Sequence, residues 1–159
     1  MDEILKILEK DGHQTAETIA TQLDKPVAEV AKKIADYEKK GVILRYRAVV
    51  NHTLLGAKER TRALIGVKVK PQKDKGFDGI AEKIYKFPEV VSCVLLSGSF
   101  DLLVEVTGED IHTIAHFVSQ KLSQIENVQE TTTHFILKKY KEGGDIFVHG
   151  KDDRLAIHL

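Results

Sequence analysis

The chain has 159 residues, of which 42% are hydrophobic and 30% charged, and its formal net charge at pH 7 is zero. This composition is typical of a globular protein with one domain or two small ones, and the net charge alone indicates no nucleic-acid partner. No apolar run approaches the roughly 18 residues of a membrane span, and no N-terminal segment resembles a signal peptide. The single cysteine, Cys93, lies in an apolar stretch and is predicted to be a core thiol. We therefore expect a cytoplasmic protein with no membrane partner.

Three short helices are predicted at the start of the chain. Apolar spacing predicts the first helix over 3–10, and Thr15 is a good N-cap for the second. A break follows, where Pro26 suits the first turn of a third helix that Asp24 or Lys25 would cap. The side chains of the third helix that are predicted to face the core are Val27, Val30, Ala31, Ile34 and Tyr37.

An extended segment follows the third helix. Gly41 ends the helix, and residues 42–50 are predicted to form a ribbon with a charged tip at Arg45 and Arg47. Three short helices with a tight break before the third, followed by a β-ribbon, are the layout of a winged helix-turn-helix. We therefore predict a DNA-binding domain over residues 1–50. The outward face of its third helix would carry Ala28, Glu29, Lys32, Lys33, Asp36, Lys39 and Lys40.

Basic residues concentrate between positions 32 and 62, where nine lysines and arginines stand against three acidic residues, a net charge of +6. Such a patch is the electrostatic footprint of a protein that binds a phosphate backbone, although a solvated helix face has the same charge pattern. Together with the helix-turn-helix pattern, the patch predicts double-stranded DNA as a partner. The predicted contact residues are Lys32, Lys33, Arg45, Arg47, Glu29 and Ala28.

The rest of the chain predicts a second domain after a polar linker over 51–62. Strand and helix periodicities over 63–141 alternate in the order βαββαβ, which is the ferredoxin-like order, so the whole chain is predicted to have an α+β fold. The tail over 142–159 is predicted to form a hairpin between 146–148 and 155–157. The predicted elements are strand 63–70, helix 76–87, strand 90–97, strand 100–107, helix 110–123 and strand 128–139.

The predicted hairpin over 90–106 has few polar positions on either face. Its two neighbouring helices can cover one face of a four-stranded sheet, so we expect a second copy of the chain to cover the other, sheet against sheet. Strict alternation would place Val90, Ser92, Val94 and Leu96 opposite Val91, Cys93, Leu95 and Ser97, and would place Leu102, Val104 and Val106 opposite Leu103 and Glu105. The apolar helix stripes are Phe77, Ile80, Ala81, Ile84 and Phe87 in the first helix, and Ile111, Ile114, Ala115, Val118 and Leu122 in the second.

Short motifs recur along the chain in a specific order. They are Ile4-Leu5 with Leu8, Asp11-Gly12, Ile19-Ala20, Gly41-Val42-Ile43, Tyr46, Gly56, the run Gly98-Ser99-Phe100-Asp101-Leu102-Leu103, and Val128 with Thr131-Thr132-Thr133. In order and spacing they resemble the leucine-responsive/asparagine-regulator (Lrp/AsnC) family of transcription factors over nearly the whole chain. The resemblance implies a winged helix for DNA and a RAM-type domain that oligomerises and senses small molecules, often amino acids. It also implies homodimers that assemble further, commonly to octamers.

The resemblance also implies an effector pocket between subunits, near the turn of the β-hairpin. A glycine lets a backbone approach a ligand closely, a carboxylate can bind an α-ammonium group, and hydroxyls can bind an α-carboxylate. The simpler explanation is that these residues form only a turn and a strand surface. The predicted effector-binding residues are Gly98, Ser99, Asp101, Thr131 and Thr133.

Two alternatives to an effector-controlled regulator stay open at this point. His13, Pro26 and Lys33 stand where the family often has other residues, which favours a ligand-binding partner subunit without DNA recognition. Sirohaem decarboxylases resemble the family in both domains and are enzymes. Neither a catalytic constellation nor a cofactor motif is recognised in the sequence, and His112 and His116 are predicted to be surface histidines rather than metal ligands.

Overall fold

The computed structural model of the chain describes residues 2–55, 60–71 and 76–148. The chain divides into two compact units, Met1–Val50 and Asn51–Leu159.

Three helices form the first unit around a small apolar core. The first helix begins and ends where the sequence predicts, and the Thr15 side chain caps the second helix by accepting from the Thr18 N–H. These helices are α1 (Glu3–Lys10), α2 (Ala16–Leu23) and α3 (Val27–Lys39). The buried core residues are Ile4, Leu8, Ile19, Ala20 and Val30.

The break between α2 and α3 differs from its prediction. Asp24 takes the left-handed conformation with φ of 51° and ends α2, and the Lys25 N–H donates to the Ala20 carbonyl at 3.0 Å. Pro26 is the N-cap of α3, and no side chain caps that helix. The prediction that Asp24 or Lys25 caps α3 is wrong, because the turn that ends α2 uses both residues.

The third helix buries a narrower stripe than predicted. Val30 is fully buried, and Ile34 packs against the same core. Val27 is 43% exposed and Ala31 is exposed, so placing these two residues in the core was wrong. A unit of only three short helices has room for one inward row of α3, and the flanking positions stay in contact with solvent.

The segment after α3 has no strand. Residues 42–50 carry no ladder hydrogen bonds, and the N–H groups of Val42 and Ile43 donate instead to the Tyr37 carbonyl at 2.9 and 3.2 Å. The predicted β-ribbon is therefore wrong for the single chain. A strand needs a neighbour that supplies its hydrogen-bond partners, and the described residues of the first unit contain no other extended segment to pair with it.

The second unit has the predicted βαββαβ order, with an antiparallel sheet of strand order β2-β3-β1-β4. Its strands are β1 (Thr61–Val69), β2 (Val90–Leu95), β3 (Leu102–Gly108) and β4 (Val128–Phe135), and its helices are α4 (Asp78–Tyr85) and α5 (Ile111–Gln120). Short 3₁₀ turns lie at His52–Leu55 and Leu122–Gln124.

Both helices cover the same face of this sheet. In α5 the side chain of Phe117 is buried, whereas Ile111 is 53% exposed and Ala115 is exposed, so the predicted stripe of α5 was partly wrong. Phe117 also meets Phe87 edge to face, with ring centroids 5.5 Å apart, which fixes the rotation of the helix. The buried residues of this core are Ala63, Ile65, Val67, Val69, Ile80, Ile84, Leu102, Val104, Val106, Ile114, Phe117 and Leu122.

A β-bulge changes the faces of β2. The register with β3 shifts between Val90 and Ser92, and both Val90 and Cys93 pack against the helix-covered core. Strict alternation had placed these two residues on opposite faces, which is wrong because the extra residue at the bulge reverses the alternation. Cys93 is half-buried, and this burial raises the pKa of its thiol above the usual value.

The uncovered face of the sheet is mixed rather than apolar. Arg62 forms an ion pair with Glu105 across β1 and β3, and Lys68 forms one with Glu130 across β1 and β4 at 2.8 Å. The prediction that both faces of the sheet are apolar is therefore wrong for the inner strand β1. That prediction rested on the residues of the β2–β3 hairpin alone. Half-buried Leu103 lies on this face, as expected from its alternation with Leu102 and Val104.

The end of the described chain forms a short hairpin of β5 (Lys141–Glu142) and β6 (Asp145–Ile146). Gly143 and Gly144 form its turn with φ of 58° and 100°, a backbone conformation that favours glycine. Glu142 pairs with Arg62 of β1 at 3.0 Å, which ties the hairpin to the sheet. The predicted hairpin between 146–148 and 155–157 involves residues 149–159, which lie outside the described residues.

Candidate nucleic-acid interface and effector site

The exposed face of α3 carries part of the predicted DNA interface. Ala28, Glu29 and Lys32 are exposed, and their spacing of three and four residues places them on one side of the N-terminal half of the helix. Arg45 and Arg47 are exposed in the segment that follows. Within the described part of the first unit, the cations of Lys32, Arg45 and Arg47 have no ion-pair partner, so each is available to a phosphate.

Tyr46 anchors the segment that carries the two arginines. Its hydroxyl donates a hydrogen bond of 3.0 Å to Glu38 Oε1 at the end of α3, and burial together with this carboxylate raises the pKa of Tyr46. The Tyr46 ring also lies against Gly12, where an added Cβ would come within 3.4 Å of Cδ1. The ring borders an open cleft of about 330 Å³ that Ala31 and Ile34 also line. Residues 42–50 are therefore held near α3 without a strand.

Lys33 is placed differently from Lys32. Its Nζ lies 2.8 Å from Asp2 Oδ2, while Asp2 Oδ1 accepts the Ile4 N–H and so caps α1. The hydrogen bond from Lys33 and the bond from Ile4 lower the pKa of Asp2 from its usual 3.8 to about 2. Asp2 was not singled out in the sequence, although an aspartate two residues before the first apolar position is a typical helix N-cap. Its pairing with Lys33 has no local sequence signal.

Asp101, the carboxylate of the predicted effector site, is bound to the sheet. Its Oδ2 accepts the Val69 N–H at 2.8 Å, and its own N–H donates to the Val67 carbonyl at 3.1 Å. The Asp101 carbonyl in turn accepts the Leu96 N–H at 2.8 Å, which closes the loop between β2 and β3. Asp101 therefore holds the loop against β1, and this structural role leaves Oδ1 as the oxygen available to another partner.

The other predicted effector residues lie on two sides of β1. Thr131 of β4 pairs in register with Val67, so Thr131 and the loop residue Asp101 flank Val67 on opposite sides of β1, and Thr133 pairs with Ile65 further along. Both threonines are half-buried. Gly98 and Ser99 are exposed at the tip of the loop, and an added Cβ on Gly98 would meet no atom within 4 Å. The structure thus brings Asp101 and Thr131 to one end of the sheet and leaves the loop tip in solvent.

Neither a metal site nor a membrane segment is found in the described part of the chain. His112 and His116 are exposed on α5, and no group of three or more potential metal ligands occurs among the described residues. In those same residues, every helix is too short or too polar to cross a membrane.

The chain, with its helical first unit and its βαββαβ second unit, was compared with known proteins to find its class. Residues 62–146, more than half of the chain, match the family model described as the Lrp/AsnC ligand binding domain. The class is that of HTH-type transcriptional regulators, which bind DNA. The chain belongs to the Lrp/AsnC family, as the motifs predicted. This is a family of regulators, so the alternative of a sirohaem-decarboxylase-like enzyme is not supported.

Relatives and solved structures agree with this assignment. The uncharacterized HTH-type transcriptional regulator YugG of Bacillus subtilis is 45% identical over 155 residues, covering 98% of this chain and 93% of that protein. The leucine-responsive regulatory protein of Rhizobium meliloti is 27% identical over 87% of this chain and 88% of its own length. The structure is similar to that of the transcriptional regulator NMB0573 from Neisseria meningitidis in complex with L-Met, with a TM-score of 0.70 and 25% identity over 89% of this chain and 93% of that chain.

Proposed function

We propose that the chain is a sequence-specific DNA-binding regulator that acts as a homo-oligomer and responds to an amino acid or related small metabolite. The observation that carries the proposal is the set of exposed cations on and beside α3, Lys32, Arg45 and Arg47, which form no ion pair with any described residue. An exposed basic helix after a tight turn is the element that helix-turn-helix proteins place in the major groove.

Different residues of this surface suit different contacts with DNA. Lys32, Arg45 and Arg47 carry the charges that bind phosphates and position the protein. Ala28 and Glu29 lie in the first turn of α3, from which base edges are read. A glutamate accepts a hydrogen bond from the cytosine N4 amino group, and an alanine contacts the thymine methyl group. The proposed interface therefore includes both positioning and base-reading residues.

A second copy of the chain completes the assembly that we propose. Residues 42–50 have no strand partner among the residues that the structure describes, and they expose apolar side chains, with Val42 at 54% and Leu44 at 87% exposure. The sheet has one face without helices, on which Leu103 lies. A dimer that covers these surfaces presents two copies of α3 and so reads a roughly palindromic site. Further assembly of dimers to octamers follows the pattern of the family.

The effector site is proposed at the end of the sheet where Asp101 and Thr131 flank Val67. Oδ1 of Asp101 accepts no hydrogen bond from the described residues and suits an α-ammonium group. The hydroxyls of Thr133 and Ser99 suit an α-carboxylate, as does that of Thr131, which lies 3.5 Å from the Ser123 hydroxyl. Support comes from the relative NMB0573, whose structure is a complex with L-Met. In the assembled oligomer, Gly98 and Ser99 would bring the loop tip of one subunit toward its neighbour.

Selection of bound duplexes from a randomised DNA library tests the DNA-binding proposal. Wild-type protein is expected to enrich a palindromic site, and the triple variant with Lys32, Arg45 and Arg47 changed to alanine is expected to lose binding at moderate salt. Lys83→Ala removes an exposed lysine from α4 and serves as the matched control. Failure of the wild-type protein to enrich any sequence would refute the proposal.

A thermal-shift screen over the twenty amino acids tests the effector proposal. A ligand that binds only the folded protein raises the unfolding temperature, and the rise grows with the logarithm of the ligand's excess over Kd. We expect at least one amino acid to give a concentration-dependent rise that Thr131→Val reduces. The absence of any shift at millimolar concentrations would contradict an amino-acid effector.

A further inference from the structure

Lys33 contacts one carboxylate, and a second carboxylate lies one helical turn away on α3. Asp2 Oδ2 contacts its Nζ at 2.8 Å, and Glu29 lies one helical turn earlier on α3, close enough that its charge also raises the pKa of Lys33. The Lys33 side chain is 41% exposed to solvent and the Asp2 side chain is 22% exposed. A phosphate that approached Lys33 would therefore meet two negative charges beside the one positive charge.

The Asp2 carboxylate uses both of its oxygens at this position. Oδ1 caps α1 by accepting the Ile4 N–H at 2.9 Å, and Oδ2 accepts from Lys33. Ile4 of α1 and Val30 of α3 belong to the same buried core. The carboxylate thus joins the first turn of α1 to the middle of α3 at the edge of their shared core.

Lys32 differs from Lys33 although the two residues are adjacent. Lys32 is exposed and has no ion pair within the described part of the chain. Successive residues on a helix are turned by 100°, so the two lysine side chains leave α3 in different directions. The neighbours have different electrostatic surroundings, which indicates different roles.

We propose that Lys33 is a positioning residue of the DNA-binding unit: its contact with Asp2 sets the orientation of α3 on α1, and Lys32 rather than Lys33 binds DNA phosphate. This assignment rests on the proposed DNA-binding function. It predicts that removing the partner, Asp2, weakens DNA binding, even though that change removes a negative charge from a protein that binds a polyanion.

The test measures the affinity of three single variants for a duplex selected with the wild-type protein, by fluorescence anisotropy at several salt concentrations. Asp2→Asn is the informative variant, because asparagine caps a helix as well as aspartate does but cannot pair with a charge. Lys33→Ala and Asp2→Asn are expected to weaken binding by a similar factor, about two- to fivefold. Neither should change the slope of log K against log salt.

Lys32→Ala gives the contrasting result in the same titration. The loss of one phosphate contact lowers the salt slope by about 1. If Lys33→Ala lowers the slope by the same amount, or if Asp2→Asn strengthens binding, Lys33 binds phosphate directly and the proposal is overturned. Variants are compared well below their unfolding temperatures, with the active fraction measured by titration at high concentration, so that a loss of folded protein is not counted as a loss of affinity.

The charge-reversed pair Asp2→Lys with Lys33→Asp separates orientation from charge. Asp2→Lys loses the cap of α1 whether or not Lys33 is changed, so the pair is compared with Asp2→Lys alone. A positioning role predicts that adding Lys33→Asp, which restores an ion pair, recovers part of the lost affinity. A direct contact with phosphate predicts weaker binding than Lys33→Ala, since an acidic side chain then faces the DNA.

A measurement without DNA tests the pairing of Lys33 with Asp2 independently of the proposed function. NMR titration of the Asp2 carboxyl group is expected to give a pKa near 2 in the wild-type protein and a value closer to its usual 3.8 in Lys33→Ala. An Asp2 that titrates normally in the wild-type protein overturns the positioning role. If the pair forms but the wild-type protein selects no duplex, the proposed function fails and the role assigned to Lys33 in DNA binding fails with it.

Discussion

The Tyr46 hydroxyl donates a hydrogen bond of 3.0 Å to Glu38 Oε1, and this contact holds the segment 42–50 against the last turn of α3. The segment has no strand partner in residues 2–55, 60–71 and 76–148, so side-chain contacts take the place of ladder hydrogen bonds. The proposed DNA contacts Arg45 and Arg47 lie on either side of this tyrosine in sequence. The anchor therefore connects the position of the two arginines to α3.

Tyr46→Phe should loosen this segment while the first unit stays folded. The change removes the hydrogen bond and keeps the ring in its place over Gly12. We expect faster tryptic cleavage after Arg45 and Arg47, because a protease needs an extended and mobile backbone. Tyr85→Phe, on an exposed tyrosine of α4, is the control and should leave the cleavage rate unchanged. Equal rates for the two variants would show that the hydrogen bond is not an anchor.

Gly66→Ala should destabilise the second unit through one close contact. A Cβ at this position would lie 2.6 Å from the Phe100 ring, which covers Gly66 on the sheet. Overpacking of this kind destabilises a fold by about 1–3 kcal/mol. Chemical unfolding should show the loss, and Phe100→Ala added to Gly66→Ala should recover part of it. Gly98→Ala, where an added Cβ meets open space, should be nearly neutral.

Asp101→Ala should leave the Val69 N–H without its acceptor. A half-buried donor left unsatisfied destabilises a protein by about 1–3 kcal/mol. Asp101→Asn keeps an oxygen at the same place and is expected to recover most of the lost stability. If the two variants unfold at the same denaturant concentration, the contact between Asp101 and Val69 contributes little. Asp101→Asn also removes only the charge of the side chain, so a change in the thermal shift that an amino acid causes in this variant reports on the carboxylate charge.

The stability of the first unit should depend on pH through Asp2. Folding lowers the pKa of Asp2 from 3.8 to about 2, chiefly through the hydrogen bond from Lys33. The folded state therefore binds this proton less readily, and the contribution is present above pH 3.8 and is lost as the pH falls toward 2. The difference in unfolding free energy between wild type and Asp2→Asn should shrink over this range. A difference that stays constant from pH 5 to pH 2 would contradict the pairing.

Local patterns were sufficient for much of the architecture. The helix over 3–10, the Thr15 cap and the βαββαβ order follow from apolar periodicity and turn residues, which act within a few positions of the chain. The side of each strand that faces the core was less predictable. One bulged residue between Val90 and Ser92 reversed the alternation in β2, and no local signal marks such an insertion.

The candidate site was predictable to a similar degree. Helical spacing indicated Lys32 as an exposed cation, since exposed positions on a helix follow from its apolar stripe, and Arg45 and Arg47 were indicated by their charge in an extended segment. The same reasoning gave Lys33 the same role, because the sequence does not show that Asp2 is its neighbour. Contacts between residues distant in the chain are decided by packing, which periodicity alone does not describe.

By itself the sequence determined the class of fold, the succession of elements and the family, because these depend on periodicity and on the order of motifs along the chain. Only the tertiary structure decided which of two adjacent lysines is paired, which oxygen of Asp101 is in use and where the second face of the sheet is charged. These features depend on distances between groups from separate elements, and those distances exist only once the helices and strands have packed.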